Sequence, residues 1–363
     1  MRFRAGAWLC AFAMALGLLC GTPAAHADPT LVHIVRQGET LASVAELWYG
    51  DPRRESVLVS ENGLSGDSSA PIAVGLRLMI PTVGYHHAQD GETWAELATR
   101  YYGDPRRAFE LIQANGGKAS EHPDVGAELL IPYPLRVVAS PGDALRKIAK
   151  TYYDSMAAMS TVRRFNPDVK GRIQHGQLLL APLSDLVLSA QGKKLAEAQL
   201  GTPQVAGDLR DRQKQIDAEL PALREDVHQG RYADAVAAAN RMIGEGDLTS
   251  SQLVTIHREL GTAYVALGRE DLAKQAFVKL LSQQPDAEFD SVRTSPKVLR
   301  VIDEARKIAA AAAAKAAAEA KANPAGSAKV NAAAGAKLAN DPPAQQPGAP
   351  ALKKPSGGGD HQR

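Results

Sequence analysis

The sequence predicts α+β modules, three small strand-helix-helix-strand units, followed by an all-α helical-repeat domain and a disordered tail. Three observations carry this expectation. The hexamer Tyr-Gly-Asp-Pro-Arg-Arg occurs at Tyr49 and again at Tyr102, 53 residues on. Within each repeat the apolar spacing switches from helical to alternating. From about Asp208 helical spacing runs on without strands, until composition collapses to Ala, Lys, Pro and Gly. At 363 residues the chain has room for several domains, and 45% hydrophobic content suffices for buried cores.

The repeat extends well beyond the hexamer. Gly38-Glu39-Thr40-Leu41 stands eleven residues before Tyr49, and Gly91-Glu92-Thr93-Trp94 eleven before Tyr102. A weaker third copy leads from Gly142-Asp143-Ala144-Leu145 to Tyr153. Thirteen residues after each tyrosine comes an asparagine, Asn62, Asn115 and Asn166, and each copy closes on a Gly-led apolar run from Gly75, Gly126 and Gly176. The expected boundaries are 28–82, 83–134 and 135–184.

Each element follows from its pattern. Leu41, Val44, Ala45 and Trp48 fall on one helical face, as do Trp94, Leu97, Ala98 and Tyr101, and Leu145, Ile148, Ala149 and Tyr152. Asp51-Pro52 and Asp104-Pro105 are the order of a helix start: a carboxylate to cap free N–H groups, then a proline whose missing donor costs nothing there. The adjacent arginines are expected to face solvent. Leu76, Leu78 and Ile80 alternate before Pro81, and Leu129 and Ile131 before Pro132, giving closing strands. His33 and Val35, and Val137 and Ala139, mark opening strands.

These landmarks resemble the LysM family, over roughly residues 33–183. The resemblance implies binding of N-acetylglucosamine chains, in peptidoglycan or chitin, along a shallow groove between the Gly-Glu-Thr loop and the loop before the last strand. Carried onto this chain, the glycan-binding residues are Gly38, Glu39, Thr40, Leu41 and Asn62, and Gly91, Glu92, Thr93, Trp94 and Asn115. Several have a plainer use. The glycines suit tight turns, Leu41 and Trp94 open a buried helix face, Thr40 and Thr93 are helix caps, and the asparagines brace loops. The third copy departs from the pattern: Ala144 replaces the threonine, Asp154-Ser155 the Gly-Asp-Pro corner and Ala181 the closing isoleucine, so its sugar site is in doubt.

After a linker at 185–207, the helical domain is expected over 208–308. Gly261, Tyr264, Gly268, Ala273, Phe277 and Pro285 match the spacing of a tetratricopeptide repeat, and Gly230 and Ala235 give a half-match upstream. Such helix pairs stack into surfaces that bind a protein partner, or act as spacers. Ser295-Pro296 starts a last helix, and 309–363 is a low-complexity tail.

Residues 1–27 have the pattern of a secretory signal: Arg2 and Arg4, an apolar run from Trp8 to Leu19, and Ala25-His26-Ala27 before Asp28. The run is shorter than the ~20 residues of a retained span, and Leu19 before Cys20 argues against acylation. Both cysteines lie in this leader, so the mature protein has no disulfide and no cysteine nucleophile. Removing the leader takes two of 42 basic residues and none of 40 acidic ones, leaving no net charge to attract nucleic acid. His86-His87 point to opposite strand faces and lack further ligands, so no metal or cofactor is expected. With no thiol and no zinc-binding histidine motif, the expectation is a protein that is not an enzyme: an exported, periplasmic or wall-associated peptidoglycan binder. The alternative is an assembly scaffold that binds protein partners, with an accessory role in a wall-hydrolase system as a minor one.

Overall fold

The computed structural model describes residues 31–64, 72–200, 207–291 and 293–322, with side chains through Lys315. The expected leader, part of the expected linker and the tail beyond residue 322 lie outside the described residues. The chain divides into two compact bodies. The larger takes in residues up to Pro221 together with Met242–Gln252, and the helical body takes in Ala222–Arg241 and the residues from Leu253 on.

The larger body contains three antiparallel two-stranded sheets. β1 (Leu31–Ile34) pairs with β2 (Arg77–Ile80), with His33 opposite Leu78. Between them lie α1 (Leu41–Tyr49), a 3-10 turn (Pro52–Arg54) and α2 (Glu55–Glu61). β3 (Gly84–His87) and β4 (Glu128–Ile131) enclose α3 (Trp94–Tyr102), a turn at Pro105–Arg107 and α4 (Ala108–Ala114). β5 (Tyr133–Val138) and β6 (Leu178–Leu183) enclose α5 (Leu145–Tyr153), a turn at Met156–Ala158 and α6 (Met159–Phe165).

The corners follow from their residues. Asp51 and Asp104 cap as expected, accepting from the backbone N–H of Arg53 (3.0 Å) and Arg106 (2.8 Å). What they cap is a 3-10 turn, the tighter helix common at α-helix ends, and the α-helices begin only at Glu55 and Ala108. Gly50 (φ 72°) and Gly103 (φ 70°) end the preceding helices in the left-handed region. Asp154 (φ 49°) must do so in the third repeat, where Ser155 Oγ takes over the capping of the turn from aspartate.

The repeats interlock. Val57 of the first repeat belongs to the core of the third, packed with Leu135, Ile148 and Val162, and Phe165 of the third belongs to the core of the second, with Trp94, Leu97 and Leu111. The hexamer arginines take part, which corrects the expectation that both face solvent. Arg53 and Arg106 are exposed, but Arg54 donates to the Tyr152 carbonyl (3.1 Å) and pairs with Asp185, and Arg107 donates to the Phe165 and Tyr102 carbonyls. A buried carbonyl left without a donor is costly, and a guanidinium can satisfy two at once.

Within the expected linker, the described residues up to Leu200 include a helix. α7 (Ala190–Leu200) packs on the first repeat, with Leu188 and Ala196 in its core. Gln199 bonds both the N–H and the carbonyl of Val32 (3.1 and 2.8 Å), covering the free edge of β1. Gly192 makes the approach possible, since a Cβ there would lie 2.4 Å from the Trp48 carbonyl oxygen.

α8 (Asp208–His228), α9 (Tyr232–Glu245) and α10 (Ser250–Ala266) cross between the two bodies; α11 (Glu270–Gln283) and α12 (Pro296–Ala322) complete the helical body. Its core gathers Val265, Phe277, Leu280, Val301 and Ile302. Ser295 Oγ accepts from the Val298 N–H at 3.3 Å, the expected cap, and the helix it starts runs into the segment read as low-complexity tail. Among the described residues no helix is long and apolar enough to cross a membrane.

Candidate functional site

The structure gathers the Gly-Glu-Thr residues of each of the first two repeats into one turn between opening strand and first helix. Gly38 and Gly91 are exposed at φ 84° and 79°. Thr40 Oγ1 accepts from the Ser43 N–H (3.1 Å) and Thr93 Oγ1 from the Glu96 N–H (3.2 Å), each within a reciprocal capping box.

Glu39 and Glu92 are held by a device that sequence reasoning missed. His33 Nε2 lies 2.8 Å from Glu39 Oε2, and His86 Nε2 lies 2.6 Å from Glu92 Oε2. The same oxygens accept the backbone N–H of Arg36 and Gln89, three residues upstream. Arg100 donates to the other oxygen of Glu92 at 2.8 Å. Partial burial works against ionisation of both carboxyls, and these bonds outweigh it, leaving both below the usual carboxylate range. An ionised carboxylate can only accept, so His86 Nε2–H donates to Glu92, and Tyr101 OH lies 3.0 Å from His86 Nδ1 on the other side of the ring. The signal was present: in both copies a histidine stands six residues before the glutamate.

Four of the remaining sequence candidates are committed elsewhere. Leu41 and Trp94 are 3% and 6% exposed and belong to the cores. Asn62 Nδ2 donates to the Leu58 and Met79 carbonyls while its Oδ1 accepts the Met79 N–H. Asn115 bonds Leu111 and Leu130 in the same way, and Asn166 bonds Val162 and Leu180. Each asparagine ties the end of the second helix to the closing strand, and both its amide donors are spent there.

In the second repeat the facing loop is described in full. His122 Nδ1 bonds the Glu92 carbonyl oxygen (3.1 Å) across the gap, and Asp124 accepts from the Ser251 hydroxyl and N–H. In the first repeat residues 65–71 of that loop lie outside the described residues. In the third, Ala144 offers no side-chain cap and Asp143 bonds Lys147 instead of a histidine. No cluster of metal-binding side chains occurs among the described residues.

No family model and no solved structure matches the chain. Two proteins from strains of Mycobacterium tuberculosis, Esterase MT1326 and Esterase Rv1288, are each 28% identical to it over 149 residues, 41% of this chain. The chain spans about a third of the length of these curated relatives, 32%. Their name corrects the expectation that this protein is not an enzyme. That expectation rested on missing thiols and zinc motifs, whereas serine-based hydrolysis is recognised by geometry and has no fixed sequence spacing to look for.

Proposed function

We propose that the protein binds N-acetylglucosamine glycan, as in peptidoglycan, through LysM-like βααβ units, with a tetratricopeptide-like helical region that spaces them or recruits a protein partner. An exported, periplasmic or wall-associated location goes with this reading. One observation carries it: the Gly-Glu-Thr turn is built twice in the same way, its glycine exposed, its glutamate braced by a histidine and its threonine at the head of a helix. An ionised carboxylate beside an exposed glycine suits the hydroxyl and acetamido groups of a sugar chain. The third repeat lacks the threonine and the histidine brace, and is assigned no sugar.

The test is sedimentation of the full chain with purified peptidoglycan sacculi, followed by NMR titration with chitotetraose. Expected are retention on sacculi and amide shifts at Gly38, Thr40, Gly91 and Thr93, with Ala144 unmoved. A chain that stays in the supernatant and shows no shifts defeats the reading. A second reading, ester hydrolysis, rests on the relatives' name, and turnover of p-nitrophenyl acetate by the full chain decides it.

A further inference from the structure

Glu110 occupies a core position. It stands eight residues after Tyr102, where the first repeat has Val57, eight after Tyr49 and 0% exposed. Glu110 is 7% exposed, and its Oε1 is buried without a hydrogen-bond partner. Burying a carboxyl without a partner is costly, and valine would remove the cost. Burial pushes its pKa up, opposed only in part by Arg164.

The carboxyl lines a cleft of about 930 Å³, within the ~300–1,000 Å³ range of small-ligand sites. The cleft lies wholly in the larger body. Its apolar walls combine Pro132, Pro182, Ala157 and Ala158 with the larger Leu130 and Val187. Two exposed cations stand at it, Arg164, stacked on the Phe109 ring at 3.6 Å, and Lys214, and neither has an ion-pair partner among the described residues. Arg210, the third lining cation, gives its terminal nitrogens to Asn115 and to the Ala114 and Glu128 carbonyls. Ser160 Oγ donates to the Ala157 carbonyl and Ser155 Oγ accepts the Ala157 N–H. The charged groups left to a ligand are the Glu110 carboxyl, the Arg164 and Lys214 cations and Arg210 Nε, which is buried without a partner.

We propose that this cleft binds a short peptide bearing a free carboxylate, with Arg164 and Lys214 receiving the carboxylate and Glu110 hydrogen-bonding the peptide backbone. None of the ten residues assigned to glycan lines the cleft, so the two sites stand or fall separately.

The experiment is calorimetric titration of the full chain with N-acetyl-trialanine and with its C-terminal amide. The acid binds, and the amide binds at least ~tenfold more weakly, the scale of one charge-assisted bond. Arg164→Ala with Lys214→Ala, both at exposed side chains, weakens the acid ~tenfold. Glu110→Leu weakens it by a similar factor, whereas Glu110→Gln, which keeps a donor, stays within ~twofold. Chitotetraose binding is unchanged in all of these. No heat with the acid, equal binding of acid and amide, an unaffected double variant or full binding by Glu110→Leu overturns the proposal.

Discussion

The Arg107 guanidinium donates through Nε to the Phe165 carbonyl at 3.0 Å and lies 5.3 Å from the centroid of the Phe165 ring. In the first repeat Arg54 reaches the Tyr152 carbonyl and Asp185. The last arginine of each hexamer thus reaches a backbone carbonyl of the third repeat, whereas the first makes only exposed ion pairs with it, Arg53 with Asp154 at 3.8 Å and Arg106 with Asp168 at 2.9 Å. Arg107→Ala should destabilise the larger body by about 1.5–3 kcal/mol, the range for hydrogen bonds to charged groups. Arg53→Ala, at an exposed side chain, should fall within about 0.5 kcal/mol. Urea unfolding of both variants checks this; equal effects would show that the interlock adds nothing.

Asp104 gives a second expectation. Its cap on the Arg106 N–H is worth about 1 kcal/mol, so Asp104→Ala should lower stability by that amount and leave sacculus binding intact. Thermal unfolding measured beside sacculus retention checks it. Retained stability with lost retention would move the hexamer from structure to ligand binding.

Gly192→Ala should strip α7 from the first repeat. The added Cβ meets the Trp48 backbone carbonyl at 2.4 Å, and backbone cannot step aside as a side-chain end can. Hydrogen exchange should then show lost protection in residues 190–200 and at Val32. Unaltered protection at both would mean that the contact is loose.

His257 makes the stability of the helical body pH-dependent. The ring is 5% exposed, its Nδ1 has no partner, and burial, helped by the charge of Lys279, brings its pKa down to about 4. The unfolded chain takes up a proton near pH 6.5 and the folded one does not until about pH 4, so stability is full above 6.5 and falls as the pH drops between the two. The loss approaches about 3 kcal/mol. Urea unfolding from pH 7.5 to 4.5 should show it, and His257→Leu should flatten the slope.

Local features were legible in the sequence because they depend on near neighbours. Thr40 and Thr93 cap helices, Asp51 and Asp104 cap turns, Ser295 caps α12 and Leu41 and Trp94 are core, all from spacing within a few residues. Helical and strand periods also reveal which face is apolar. They do not say what that face will meet.

What the tertiary structure alone decided lies at longer range. Arg54 and Arg107 read as solvated charges until residues 98 and 58 positions away supplied carbonyls. The segment after residue 185 looked like a linker because its docking depends on one glycine fitting against a carbonyl more than 140 residues earlier. Glu110 shows the limit best. The repeat register marks it as the odd residue at a core position, but only packing against the third repeat turns that oddity into an unpaired carboxyl in a cleft. Short-range order is fixed by backbone geometry and caps, whereas partner choice for a buried polar group is settled by whichever distant element closes over it.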